Sequence, residues 1–325
     1  MARPDGPPPF AATIVIAGVA AVAFLLAVTV PLLTTALALM AFGVVHNVAE
    51  LRYVGGRFSG LLRGGYLVVL GGIITGIVVS RLVGVLFGGS WSLTTEIVLS
   101  YGLLVAAVVG GLGRRSAPGT SAALGVLAVL LVVSLTHPDQ HVVVVTHLHN
   151  VVPLVFLWEL SGAMRGRHRR AFRGVQLAWV VVVPALLLAG VADGPLQHAT
   201  TSIGLGGASG LAPSTAPAST VGTTLGMRFL AVFAFLQLMH FVVWVAVIPR
   251  WSAASTATFE QRVPALGGRR PWVIAGAAGL ALAVLFVVDY AQGRTVYAAL
   301  ASYHAYLELP IVLAVVVGWR ARWAR

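Results

Sequence analysis

Long apolar stretches with few polar interruptions alternate with short polar segments along almost the whole chain. Each stretch reaches the ~17–25 residues that a helix needs to cross a bilayer, and exceeds the ~9–11 residues of a transmembrane β-strand. The pattern therefore predicts an all-α fold, a polytopic integral membrane helix bundle. About ten transmembrane helices are expected, at residues 11–29, 31–51, 65–88, 93–112, 121–137, 142–163, 174–192, 225–248, 271–290 and 296–318.

The composition agrees with a membrane protein. Of 325 residues, 58% are hydrophobic and only 9% are charged, whereas a soluble domain carries roughly 25% charged residues. We expect a single transmembrane helical domain over residues 1–325. The longest segment between predicted helices, 193–224, is rich in Gly, Ser, Thr and Ala. It is expected to be a flexible outer loop.

The positions of the arginines predict how the chain is oriented. The formal net charge is +12 and no lysine occurs. Because the arginines lie in short segments between apolar stretches, they are expected to orient the helices and meet anionic lipid, and we expect no nucleic-acid partner. With ten helices the arginine clusters share one side, which predicts cytoplasmic termini. The clusters are Arg52, Arg57 and Arg63; Arg114 and Arg115; the arginines within 165–173; Arg250, Arg262, Arg269 and Arg270; and Arg320, Arg322 and Arg325. The lysine-free composition, rich in Ala, Val, Leu and Gly, suggests a bacterial protein, which would lie in the cytoplasmic membrane.

Several kinds of chemistry are excluded because the chain lacks the residues, or the arrangement of residues, that they need. With no cysteine there is no disulfide, no thiolate metal site and no cysteine nucleophile. With no lysine there is no P-loop for a nucleotide phosphate. No arrangement of Ser, His and Asp that is typical of a hydrolase can be identified.

Four histidines lie inside the predicted membrane helices: His46, His149, His240 and His304. An ionisable side chain at this depth is costly unless it is paired, hydrated or metal-bound, so it indicates function. Glu50 and Glu308 follow His46 and His304 by four residues, which places each pair on one helix face. Imidazole and carboxylate together suit iron or zinc. We predict a site in which the four histidines bind a metal and the two glutamates are catalytic.

Some choices within this site have alternatives. His147 and His149 project about 200° apart on one helix, and we choose His149, together with Asn150. By helical rise His149 and His304 lie ~12 Å below the outer surface, and His46 and His240 lie ~22 Å below it. One shared site and two stacked bis-histidine haem sites therefore both stay open.

The predicted membrane helices also contain charged residues with structural explanations. Glu50 could pair with Arg52 at the end of its helix instead of serving the site. Arg81 is expected to pair with Glu96, which lies at a similar depth on the next helix. The remaining histidines, His137, His141, His168 and His198, are expected to be solvated loop residues.

Two segments resemble a known family. The segment from Phe42 through His46 to Glu50 is similar to the second-helix motif of the membrane β-carotene dioxygenases, which are related to the retinal-forming enzymes associated with bacteriorhodopsin. The segment 237–244, which contains His240, is similar to a later histidine-bearing helix of those proteins. The resemblance implies an all-helical membrane enzyme that uses histidine-bound non-haem iron and oxygen to cleave a carotenoid. Asn47 and Glu50 stand where the family usually has Gly and Asp.

The leading hypothesis is an integral membrane oxidoreductase with a His/Glu-ligated non-haem iron centre. Its partners would be molecular oxygen, the lipid bilayer and a lipophilic substrate of isoprenoid or carotenoid type. The second hypothesis is a b-type haem protein for electron transfer or haem modification. The third is a cation or proton transporter that uses the His/Glu pairs as a relay.

Overall fold

The computed structural model of the protein describes residues 10–88, 91–111, 117–199 and 212–316. Within these residues the chain is helical and contains no strand. Ten helices are long and apolar enough to cross a membrane, which confirms the all-α class and the expected helix count. In chain order the longer helices are α1 Phe10–Thr29, α2 Pro31–Arg57, α3 Gly64–Phe87, α4 Trp91–Gly111, α5 Ala117–Thr136, α6 Pro138–Ala163, α7 Gly166–Leu188, α8 Thr224–Trp251, α9 Ala253–Arg262, α10 Arg270–Val288 and α11 Tyr290–Val316.

Two helices extend past their apolar stretches, in a way that hydropathy does not detect. Helix α2 continues to Arg57, and α7 begins at Gly166 within the arginine-rich segment. An apolar stretch matches the thickness of the membrane, whereas a helix continues for as long as its backbone hydrogen bonds do. The predicted start of α7, at 174, is therefore eight residues too late, because the helix begins at 166.

Helix α7 ends in a glycine cap at Leu188, before the end at residue 192 that hydropathy predicted. Gly190 has a φ of +87°, a backbone conformation that residues other than glycine rarely adopt. Its N–H donates to the Leu187 carbonyl, and the Val191 N–H donates to the Leu186 carbonyl. This is the hydrogen-bond pattern of a Schellman cap. It ends the helix at Leu188 and directs the chain towards Asp193.

The short helix α9 was not predicted, because its sequence is polar. It begins after Ser252 and ends before Val263. Gly55 and Gly56 allow it to approach α2 closely. A Cβ atom at Gly56 would collide with the Ser255 backbone, and one at Gly55 would lie 2.9 Å from the Phe259 ring. Helix α9 therefore packs directly on the last turns of α2.

The chain divides into two compact units. Unit 1 contains Met1–Gly56 and Val143–Arg294, and unit 2 contains Arg57–Val142 and Thr295–Arg325. In unit 1, α8 is the most buried membrane-length helix, and its residues 230–237 are all buried. In unit 2, α4 packs against both α3 and α5. The Ser80 hydroxyl donates to the Ser92 carbonyl at 3.0 Å, which joins α3 to the first turn of α4.

Some predictions fall outside the described residues. These are Arg114 and Arg115, the C-terminal Arg320, Arg322 and Arg325, and the middle of the segment 193–224. The described parts of that segment contain two short helices, Asp193–Gln197 and Ala212–Thr215. Its flexibility stays a prediction.

Candidate metal centre

Three of the four histidines singled out from the sequence meet inside unit 1. His46 comes from α2, His149 from α6 and His240 from α8. The ring centroids of His46 and His240 are 5.2 Å apart, and those of His149 and His240 are 4.5 Å apart. A candidate ligand nitrogen on each ring lies within 4.8 Å of those on the other two. Histidines that were expected at different depths in the membrane are therefore neighbours.

His46 is held in one orientation by its own helix. Its Nδ1 lies 3.1 Å from the Phe42 carbonyl oxygen, one turn earlier. A carbonyl can only accept, so this hydrogen bond requires the proton to be on Nδ1. The neutral ring then carries its lone pair on Nε2, which is the atom that would bind a metal. A hydrogen bond on the far nitrogen is typical of metal-binding histidines.

His240 lies at the centre of the three rings and is fully buried. Within the described part of the chain, neither of its ring nitrogens has a hydrogen-bond partner of good geometry. The backbone of Asn150 and His149 lies beside the ring, but no hydrogen bond of good geometry joins it to either ring nitrogen. Leaving a buried polar group unsatisfied costs ~1–3 kcal/mol. A metal ion bound by the three rings would satisfy the His240 nitrogen that carries the lone pair, so the donor set fits a transition metal that accepts imidazole.

Prolines shape the backbone next to two of these histidines. Pro153 has no N–H to donate to the His149 carbonyl, and the Val152 N–H donates there instead, at 3.2 Å. In α8, Pro249 follows a π-helical turn at Val243–Val247 that begins three residues after His240. The same pattern occurs in α7, where Pro184 follows the π-helical turn Ala178–Val182. Turns of this kind are often found at functional sites.

Aromatic side chains cover one side of the three histidines. Phe241 lies 4.5 Å from the His46 ring, and Trp244 lies 6.5 Å from the His240 ring. Tyr53 and Phe156 pack on Trp244 at 5.9 and 5.4 Å. The indole nitrogen of Trp244 is buried and has no hydrogen-bond partner among the described residues. It is a donor available to a bound molecule.

Tyr53 and Phe156 were not predicted as members of this aromatic wall, although their spacing carried a signal. Tyr53 follows His46 by seven residues, and Phe156 follows His149 by seven. Seven residues are about two helical turns, so each aromatic ring lies on the same helix face as its histidine. Searching for aromatic residues at this spacing would have found both.

Glu50 lies one turn after His46 and is buried. Its charge is close enough to His149 for the two to interact. Arg52, the alternative partner considered from the sequence, forms an ion pair with Glu260 of α9. The carboxylate of Glu50 therefore belongs to the surroundings of the histidine cluster.

His304 and Glu308 belong to unit 2. Both side chains are buried, at 4% and 0% exposure, and they lie one turn apart on α11. The i, i+4 spacing places them on one face of this helix, as expected. Pro310 follows within the same helix.

Unit 2 contains a separate polar network around Arg81. Its Nε and Nη2 atoms donate to the two carboxylate oxygens of Glu96, both at 2.6 Å. Its Nη1 donates to the Ala298 carbonyl at 2.8 Å and to the Ser302 hydroxyl at 3.0 Å. The hydroxyl of Tyr306 donates to Glu96. The predicted pairing of Arg81 with Glu96 is confirmed.

His147, the alternative to His149 on α6, has structural surroundings. Its Nε2 lies 2.8 Å from the Thr215 carbonyl, and its ring packs against Phe229 and Phe233. His147 thus joins α6 to the segment before α8. The choice of His149 over His147 is consistent with this geometry.

Two of the histidines that were expected in loops lie in helices instead. His141 belongs to the first turn of α6 and is bonded to the Ser134 hydroxyl at 3.0 Å. His168 belongs to α7, and its exposed ring lies 5.0 Å from the Phe10 ring. Both helices begin in polar sequence, which is why a pattern of apolar stretches assigned these positions to loops.

Comparison with known proteins gives no relative. No protein-family model, no curated protein and no solved structure matches the chain.

Proposed function

We propose that the protein is an integral membrane metalloenzyme in which His46, His149 and His240 bind one transition-metal ion. The observation that carries the proposal is the convergence of three imidazoles around His240, whose two ring nitrogens are buried without partners among the described residues. Imidazole suits iron, zinc and copper alike. Iron is our first choice because the two segments that resemble the β-carotene dioxygenases contain His46 and His240.

The role of His304 of α11 as a metal ligand stays a prediction from the sequence alone. The reason comes from the sequence: His304 carries Glu308 one turn on, the same pattern as His46 and Glu50 on α2. Each glutamate would serve as a further ligand or would orient a histidine by accepting its second N–H. We assign both glutamates a catalytic role on this basis.

The proposed location is a bilayer crossed by all ten apolar helices, with both termini in the cytoplasm of a bacterium. Support comes from the arginines between the apolar stretches, which gather on one side when ten helices alternate in direction. The aromatic residues near the histidines favour an apolar substrate over a charged one. A lipophilic isoprenoid would enter from the bilayer.

The proposed reaction is oxidation of this substrate by molecular oxygen. The bound metal would supply the redox chemistry that activates oxygen. Phe241, Trp244 and Tyr53 would exclude water from the reacting atoms. The indole N–H of Trp244 would orient a polar atom of the substrate or of oxygen by a hydrogen bond.

The spacing of the rings favours a single metal ion over haem between these three histidines. A haem iron with two axial histidines has two bonds of ~2 Å in line, so the imidazole centres lie roughly 6 Å apart with the porphyrin between them. The observed separations from His240 are 4.5 and 5.2 Å. No distance or contact among the described residues favours a transporter.

Metal analysis of the detergent-purified protein, with a visible spectrum, tests the proposal. We expect about one metal ion per chain and no Soret band, and less than about a tenth of the metal in His240→Ala. His147→Ala is the matched control, because His147 lies on α6 beside His149 and bonds to Thr215 instead. Each variant should elute as the same monodisperse species. Equal metal content in the two variants would contradict the proposal, and a Soret band would select haem.

A further inference from the structure

A cavity of about 320 Å³ lies in unit 1, where the last turns of α2 and α8 meet α9 and α10. Small-molecule sites in proteins have volumes of roughly 300–1,000 Å³. Polar and aromatic side chains line this cavity together: Arg52, Ser252, Thr256, Glu260 and Trp272. It is separate from the histidine cluster, since Arg52 lies six residues beyond His46, or ~9 Å along the helix axis.

Arg52 is the main polar group of the cavity. It is only 6% exposed, although it is an arginine. Its Nη2 pairs with Glu260, and its guanidinium lies 5.2 Å from the centre of the Trp272 ring. Its Nε is buried and has no hydrogen-bond partner in the described part of the chain. An acceptor supplied by a ligand would satisfy this N–H.

A second unsatisfied donor lies at the beginning of α9. Ser252 precedes the helix at the position where serine usually caps a helix, but its hydroxyl makes no capping bond. The Ser252 Oγ is buried and has no partner within the described residues. The next residue, Ala253, also lines the cavity. The N-terminal end of a ten-residue helix therefore meets the cavity, where its dipole favours an anion.

The charges around the cavity are arranged so that an anion can be accepted. The Oε1 atom of Glu260 pairs with Arg52 and also accepts the Gly268 N–H at 3.1 Å, which draws part of its charge away from a bound anion. Arg269 and Arg270 directly precede the segment with Trp272. The formal charge of the surrounding segments is thus positive.

We propose that this cavity binds a phosphate group, held by Arg52 Nε, by the Ser252 hydroxyl and by the start of α9. A phosphate offers three or more acceptor oxygens, which suits donors that come from several directions. The group would come from a phospholipid headgroup or from a soluble phosphate compound. The proposal is independent of metal binding, since none of the three donors belongs to the histidine cluster.

The test measures retention of phosphatidylglycerol by native mass spectrometry of the detergent-purified full chain, with diacylglycerol as the lipid without phosphate. We expect a preference for phosphatidylglycerol that falls about tenfold in Arg52→Gln and a few-fold in Ser252→Ala, as expected for loss of one charged and one neutral hydrogen bond. Arg250→Gln is the control, because this exposed arginine bonds to the Ala246 carbonyl on its own helix. It should leave the preference unchanged.

Glu260→Gln distinguishes phosphate binding from a purely structural role of Arg52. Removing the negative charge should strengthen retention of the anionic lipid several-fold, whereas loss of a structural ion pair would only weaken it. Weaker retention in Glu260→Gln, or equal retention in Arg52→Gln and Arg250→Gln, would overturn the proposal. If Arg52→Gln does not fold, lipid retention in Ser252→Ala and in Glu260→Gln still tests whether the cavity binds phosphate.

Inorganic phosphate alone, with chloride as control, identifies the source of the group. A rise in thermal stability with millimolar phosphate, lost in Ser252→Ala, indicates a soluble phosphate compound. Retention of phosphatidylglycerol without such a rise indicates a lipid headgroup. If neither ligand binds, the proposal is wrong.

Discussion

One buried polar group in each unit shows the contrast between a satisfied and an unsatisfied side chain, Arg81 in unit 2 and His240 in unit 1. In unit 2, the three donor nitrogens of Arg81 and both carboxylate oxygens of Glu96 are hydrogen-bonded inside the unit. In unit 1, the buried ring of His240 keeps two nitrogens without partners among the described residues. A network whose donors and acceptors are all paired stabilises a fold, whereas an unpaired buried donor or acceptor is a candidate group for binding a ligand.

The difference also explains why both groups can occur on apolar helices. Arg81 reaches Glu96 on α4 and Ser302 on α11, so its charge is compensated within unit 2. Histidine can be buried as the neutral imidazole, which costs less than burying a charged guanidinium. This lower cost allows histidine to remain available as a metal ligand.

The largest expected effect on stability comes from breaking the ion pair of unit 2. Arg81→Ala leaves Glu96 buried without its bidentate partner, which should lower the free energy of unfolding by about 3–5 kcal/mol. Unfolding in mixed micelles of detergent and dodecyl sulfate measures it. Metal content should not change.

The double variant Arg81→Met, Glu96→Met is the control for this effect. Removing both charges avoids an isolated buried charge, so the double variant should be more stable than Arg81→Ala. A double variant that is less stable than the single one would show that the pair has another role.

The next effect comes from metal removal in unit 1. A ligand present at 100 to 1,000 times its dissociation constant stabilises the folded state by about 3–4 kcal/mol. Dialysis against a chelator should therefore lower the thermal stability of the wild type, and addition of iron should restore it. His240→Ala should respond to neither treatment, whereas Arg81→Ala should respond to both. An equal response of wild type and His240→Ala would place the metal elsewhere.

A smaller effect is expected for Tyr306→Phe. This change removes the hydroxyl that donates to Glu96, and a hydrogen bond to a charged group contributes about 1.5–3 kcal/mol. Tyr303→Phe is the matched control on the same helix, because its partly exposed hydroxyl lies 3.2 Å from Thr75. It should cost less than about 0.5 kcal/mol. Comparable losses in the two variants would contradict the assignment of Tyr306 to the network.

Much of the fold could be predicted from the sequence because its main signal is local. Apolar length alone identified the ten membrane-length helices. The pair of Arg81 and Glu96 could be predicted because two opposite charges at similar depth on consecutive helices have few other partners. The convergence of His46, His149 and His240 was expected because an ionisable side chain inside a membrane is costly unless it has a partner or a ligand.

The features that could not be predicted depend on distant contacts or on polar backbone. Arg52 pairs with Glu260, 208 positions away, and no local pattern indicated this contact. Helix α9 has no apolar stretch to reveal it, and its packing depends on Gly56 leaving room for the Ser255 backbone. The cavity at Arg52 exists only because these elements meet. Hydropathy therefore identified the membrane helices and missed the site formed at their ends.

The smallest expected effect lies in unit 1, in an ion pair that is only half-buried. Arg228 donates from Nε to Asp193 at 2.8 Å and from Nη1 to the Leu188 carbonyl at 2.9 Å. The hydrogen bond from Arg228 lowers the pKa of the Asp193 carboxyl below its ordinary value. The pair joins the end of α7 to the beginning of α8 next to Gly190.

A carboxyl whose pKa is lowered by folding stabilises the folded state above its unfolded pKa, which is about 3.9. This contribution is lost as the pH falls through the lower pKa of the folded state. The difference in melting temperature between wild type and Asp193→Asn should therefore be constant from about pH 7 to about pH 5 and should shrink towards about pH 3. Arg228→Gln should abolish the same pH dependence, because it removes the cause of the lowered pKa. A difference that grows on acidification would mean that Asp193 has a raised pKa. The half-buried pair would then not be the satisfied contact that contrasts with the buried histidines.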